Sequence, residues 1–226
     1  MGNLSPILIE RRDFLSLSLE ASILAEYRAT VDQTFCERSF PMAKTLEQPA
    51  AATFAARLVC REHYSREEAS RAAQEETGQW PERALLEREI RRWLKLFDPH
   101  YALRLMQQRR AALFLMQVAP ALDLRLVGPV LSGAATEDDP AELVTRHGDV
   151  KEALLTFLNA GFDPEALEKE TAFVIRVKEE PVIVHVLRPN APFPVRSFGE
   201  LDSDQAPLER AKSVDARDLM RLIAPE

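Results

Sequence analysis

Residues 132–142 read S-G-A-A-T-E-D-D-P-A-E and hold the densest mixture of small and acidic side chains in the chain. They follow a short apolar run, L-R-L-V-G-P-V-L. A small-residue turn after a strand can point its backbone N–H groups at phosphate oxygens, which makes Ser132, Gly133, Ala135 and Thr136 candidates to cradle a nucleotide's phosphates. Carboxylates that follow can hold Mg²⁺, a hard cation that prefers oxygen, and Asp138, Asp139 and Glu142 are the candidate ligands. Two such ions clamp the attacking and leaving oxygens of an in-line phosphoryl displacement, and Asp139 and Glu142 would be the catalytic carboxylates.

Spacing works against that chemistry. Side chains two apart share one face of a strand, whereas side chains three apart do not, so Asp139 and Glu142 cannot form a D-x-D pair on a regular strand. Pro140 between them lacks a ladder donor and argues for a loop or a strand edge. A bulge at Pro140 would bring the two carboxylates onto one face, or Glu179 and Glu180 could reach in from a hairpin. The competing reading is a solvated turn whose acids face water.

Other residues carry weaker signals. His63, His100, His147 and His185 lack metal-ligand spacing, and His185 reads as a hydrogen-bonded or exposed strand residue. Ser132 lies outside a G-x-S-x-G elbow, and no Walker lysine follows a glycine-rich loop. Arg88, Arg91, Arg92 and Lys95, with Arg109 and Arg110 beyond them, could dock phosphates or an acidic protein partner. The interleaved Glu87 and Glu89 favour an ordinary solvated helix face. Trp93 and Phe97 fall in an apolar stripe and read as core. Cys36 and Cys60 read as buried thiols, neither a disulfide framework nor a zinc site.

The elements that would position these groups divide the chain in four. Residues 1–41 read as an N-terminal helix over 13–38 or an extension, with Met42 as an alternative start. Residues 42–121 are helical: a first helix with Pro49 near its start, a second opened by the capping box S-R-E-E at Ser65, a third after Trp80-Pro81 with the stripe Leu86, Ile90, Trp93, Leu94 and Phe97, and a fourth over 101–118. Residues 122–188 hold a strand over 124–131, a helix over 149–160 burying Leu154, Leu155 and Leu158, and strands over 171–177 and 181–187 joined as a hairpin. Residues 189–226 read as a proline-rich, partly ordered tail with a short helix over 215–223.

At 226 residues, 46% hydrophobic and 29% charged, the chain has ample material for a core. A net charge of -7 gives no electrostatic reason for nucleic-acid or anionic-membrane binding. No apolar run approaches the ~20 residues that span a bilayer, and a cytoplasmic location is expected.

The run L-V-G-P-V-L-S-G-A-A-T, with the helical stretch before it and D-V-K-E-A-L-L-T-F-L-N-A-G-F-D after it, resembles a bacterial group of nucleotidyltransferase-like proteins of the DNA polymerase β superfamily. The likeness covers residues 64–188. Members resemble G-x-A-T-x-x-S-D-h-x-L at the turn, then a helix ending near F-L-L-N-R-G-I-D, then a hairpin. Gly133, Ala135 and Thr136 match the turn, and Leu143 matches the closing apolar position. Pro140 stands at the first acidic position, Asp139 where the pattern has serine, and Glu142 two places after Pro140. The later strand that would carry a third carboxylate, P-V-I-V-H-V-L, has His185 as its one polar group.

The resemblance implies an α+β fold: a helical N-terminal region on a small mixed sheet of nucleotidyltransferase type. It also implies a nucleoside triphosphate ligand and Mg²⁺ in active members. With the acidic positions displaced, the expectation is a divergent, catalytically impaired member that binds a nucleotide or a protein partner. The alternatives are an active Mg²⁺-dependent nucleotidyltransferase and a helical scaffold whose basic face docks an acidic protein.

Overall fold

A computed structural model describes residues 43–167, 171–188 and 205–224. The helix expected over 13–38 lies outside them. Four helices come first: α1 (Ala43–Glu62), α2 (Arg66–Thr77), α3 (Arg83–Phe97) and α4 (Tyr101–Val118). Then follow β1 (Arg125–Val127), the short α5 (Gly128–Ser132), β2 (Ala141–Thr145), α6 (Val150–Asn159), β3 (Glu165–Ala166), β4 (Ala172–Val177), β5 (Glu180–Val186) and α7 (Ala216–Ile223). The architecture is α+β.

The sheet runs β1-β2-β5-β4-β3. Its centre is the parallel pair β2–β5, with Leu143 opposite Val184, and the other pairings are antiparallel. β4 and β5 form the expected hairpin, turning through Lys178 at φ 58. α4 packs against β2 and β5 on one side and against α7 on another. Its run from Ala111 to Met116 is buried apart from half-exposed Phe114 and partly buried Leu113, which accounts for its near-continuous apolar character.

Local signals explain the helix ends. Ser65 caps α2 with a complete capping box to Glu68, and Gly78 ends that helix in the left-handed conformation at φ 74. α1 starts earlier than expected and carries Pro49 inside it. The first strand is shorter than expected. Gly128 takes φ 77, which strands do not use, and Pro129 then opens α5, so β1 stops at Val127.

Two helices bury part of the expected stripe and other residues besides. On α6, Ala153 and Phe157 are buried while Leu155 and Leu158 are 57% and 49% exposed. Phe157 stacks edge-on with Phe173 and Phe162, and seating that large ring turns the leucines outward. On α3, Leu86, Ile90 and Leu94 are buried, but so are Glu87 and Arg91, while Phe97 is 62% exposed. The basic face is therefore reduced to Arg88, Arg92 and Lys95, because Arg91 points into the molecule. Glu87 is interior, contrary to its reading as a solvated residue.

The segment 205–224 is more than a trailing coil. Leu126 and Val214 exchange backbone hydrogen bonds of 2.9 and 3.1 Å, which covers the free edge of β1. Val214 and Leu219 are buried in the same core as the sheet.

Candidate functional site

The acidic loop 137–140 connects α5 to β2 and lies against the start of α2. Arg66, at the first position of α2, brings the two together. Its guanidinium donates 2.7 and 3.0 Å hydrogen bonds to the two carboxylate oxygens of Asp139, a 2.9 Å bond to Glu87 Oε1 and a 2.7 Å bond to the carbonyl of Ala134. A cation at a helix N-terminus opposes the helix dipole, so specific partners must hold it there. Burial alone would lower the Arg66 pKa. Glu87 and Asp139 outweigh burial and hold the guanidinium firmly charged. Burial pushes the Glu87 carboxyl upward despite Arg66, since its side chain is 0% exposed.

Asp139 is fully engaged. Besides Arg66, its Oδ2 accepts the backbone N–H and the hydroxyl of Thr136 at 2.8 and 2.9 Å. Its carbonyl accepts Gln108 Nε2 at 2.8 Å. The side chain therefore closes its own turn and docks it on the helices. Asp138 points the other way and meets His63 at 2.7 Å, with both side chains more than half exposed. That hydrogen bond raises the His63 pKa. Glu142 sits on β2 with its carboxylate over Gly128, where an added Cβ would lie 3.3 Å from Glu142 Cδ. His185 of β5 is 3.9 Å from it.

The expected metal ligands thus go to three different partners. β2 begins after Pro140, so no bulge realigns Asp139 with Glu142. Glu179 and Glu180 line a separate groove with Phe114 and Phe162 and do not border the cleft that holds Asp139. Among the described residues, one group of three His, Cys, Asp or Glu side chains has ligand atoms within 4.8 Å of one another: His63, Glu137 and Asp138, all exposed. The donors needed for a pair of Mg²⁺ ions on Asp139 and Glu142 do not fit that role.

The small-residue turn is built inward. Ser132, Ala134, Ala135 and Thr136 are 0%, 0%, 1% and 7% exposed. Five consecutive carbonyls, from Val130 to Ala134, each accept a side-chain donor: Arg109 serves Val130 and Leu131, Gln205 serves Ser132, Tyr101 serves Gly133 and Arg66 serves Ala134. Those of Val130, Leu131 and Ser132 are orphan acceptors at the end of α5, satisfied by side chains in place of water. Gly133 at φ 78 leaves no room for a side chain, since a Cβ would meet the Tyr101 hydroxyl at 3.1 Å. The amides of Gly133 and Ala134 go to the Pro129 carbonyl, and that of Thr136 goes to Asp139. The turn presents carbonyls to buried donors, the reverse of a phosphate cradle.

A cleft of about 710 Å³ opens where α1, α2, the acidic loop and β2 meet. Its walls bring together Thr136, Asp138, Asp139 and Glu142 with His63 and Arg66, and Tyr64 and Trp80 also line it. Of the residues expected at a site, Ser132, Gly133 and Ala135 do not line it. The expectation missed Arg66, Glu87, His63 and Gln108, whose bonds to the loop or to Arg66 span 21 to 75 residues. The signal that could have found Arg66 was a cation in the first turn of a well-capped helix.

Comparison of the chain with protein-family models, curated proteins and solved structures returns no match. Among the described residues, no helix is long and apolar enough to cross a membrane.

Proposed function

We propose that this chain is a divergent nucleotidyltransferase-like protein of the DNA polymerase β superfamily whose catalytic centre is impaired, and that it acts by binding a nucleotide or protein partner in the cleft beside Asp139. What supports the ancestry is the order strand, short helix, carboxylate-bearing strand, helix and hairpin, together with the S-G-A-A-T turn. The observation that carries the loss of catalysis is the Asp139 carboxylate, whose two oxygens are consumed by Arg66 and Thr136. A divalent ion at Asp139 would have to displace a buried guanidinium that is also paired to Glu87.

Thermal unfolding with a panel of nucleoside triphosphates, in Mg²⁺ and in chelator, tests this reading. Any stabilisation by a nucleotide should be the same in both conditions. A shift that requires Mg²⁺ and disappears in Asp139→Asn overturns it in favour of an active nucleotidyltransferase. The cleft that gathers Asp138, Asp139 and Glu142 is the feature that keeps that alternative open to test.

A further inference from the structure

We propose that the cleft receives a basic peptide segment of a protein partner, with an arginine or lysine side chain seated against Glu142 and the acidic loop. This rests on the binding reading above and names its partner class.

The charge of the cleft wall selects the sign of the ligand. Five carboxylates line it, Glu67, Glu68, Asp138, Asp139 and Glu142, against two arginines, Arg66 and Arg83. Arg66 is committed to Asp139 and Glu87, and the charge of Arg83 also acts on buried Glu87. Neither arginine leaves a surplus of positive charge for an anion. His63, the remaining titratable cation of the wall, faces Asp138 and Glu137. A triphosphate entering without metal meets net repulsion, while a guanidinium or ammonium meets attraction.

The hydrogen-bonding inventory points the same way. The carboxylate oxygens of Glu67, Glu68, Asp138, Asp139 and Glu142 make the wall rich in acceptors. A cationic side chain brings only donors, five for arginine and three for lysine.

Aromatic groups argue for a peptide over a small amine. Tyr64 and Trp80 line the cleft at 43% and 48% exposure. Half-exposed Trp and Tyr are the side chains that most often anchor protein partners, and their ring faces attract cations. The volume suits a few residues of chain and lies within the usual range for specific sites.

Fluorescence anisotropy with labelled peptides at physiological ionic strength tests the proposal. One peptide intersperses arginine and lysine with glycine and serine, and its counterpart carries glutamate at the same positions. The basic peptide should bind and the acidic one should not. Trp80→Ala and Glu142→Gln should each weaken binding by ~5-fold or more, with Trp80→Phe intermediate, whereas Glu76→Gln, on an exposed part of α2 outside the cleft, should leave it unchanged. Equal losses in Glu76→Gln and Glu142→Gln would mean diffuse attraction and overturn the proposal. So would binding of arginine amide or spermidine as tight as that of the peptide, or no binding at all. If the basic peptide fails while a nucleotide binds without Mg²⁺, this inference falls and the binding reading stands. If Mg²⁺-dependent nucleotidyl transfer is found, the underlying reading falls.

Discussion

Replacing Arg66 with methionine removes the one cation shared by Glu87 and Asp139 while keeping most of the apolar stem. Asp139 is 18% exposed and keeps its bonds to Thr136, so it can recruit water. Glu87 is 0% exposed and cannot recruit water, and it keeps only the charge of Arg83. The loss should therefore approach that of an unpaired buried charge, roughly 3–5 kcal/mol at neutral pH. Protonation of Glu87 limits it. In the native state burial holds this carboxyl above its ordinary range, so the folded chain keeps a proton that the unfolded chain releases. Stability linked to such a group is present below the unfolded value, about 4.3, and is lost as pH rises through the folded one. Arg66 lowers the Glu87 pKa, so removing it lifts that pKa further and only the mutant suffers the added loss as pH rises; the deficit of Arg66→Met relative to wild type should therefore shrink as pH falls from 7 toward 5. Arg66→Met/Glu87→Gln should recover part of it. Urea unfolding followed by circular dichroism at several pH values measures all three. A deficit below ~1 kcal/mol, or one that grows on acidification, would refute the assignment of Arg66 as the clasp between α2, α3 and the acidic loop.

Other substitutions probe separate parts of the account. Gly133→Ala should destabilise by more than ~1 kcal/mol, since it forces alanine to φ 78 and puts a Cβ 3.1 Å from the Tyr101 hydroxyl; Tyr101→Phe, which leaves the Gly133 carbonyl unpaired, should cost about 1–3 kcal/mol by the same denaturation measurement. Ser65→Ala breaks the capping box and should cost about 1 kcal/mol. In an NMR titration His63 should lose its proton at a pH above the ordinary 6.5, and Asp138→Asn should bring the midpoint down. Burial pushes the Cys60 thiol up to about 12, so in a Cys36→Ser background the native protein should resist Ellman's reagent at pH 8 and react once unfolded.

The parts of the fold that were legible in the sequence are those that local chemistry decides. Ser65 with Glu68 marked a helix start, and the β-rich runs over 171–177 and 181–187 marked a hairpin. Periodicity could place helices and part of their buried faces but not the full set of residues turned inward. The rest fell to Phe157 on α6 and to the Glu87–Arg66 pair on α3, both decided by residues distant in sequence. Asp138, Asp139 and Glu142, close in sequence, do border one cleft. Its chemistry was not legible. Asp139 looked like a metal ligand because its partner, Arg66, lies 73 residues earlier, and the turn looked like a phosphate cradle because the donors to its carbonyls come from α2, α4 and residue 205.

Nucleotidyl transfer itself is the most direct test. Purified full-length protein is incubated with each α-labelled ribonucleoside triphosphate in Mg²⁺ or Mn²⁺, and label is followed on the protein, on added acceptors and as released pyrophosphate. With Asp139 held by Arg66, turnover should not exceed that of Asp139→Asn or Glu142→Gln. Metal-dependent turnover by the wild type that either substitution abolishes would contradict it.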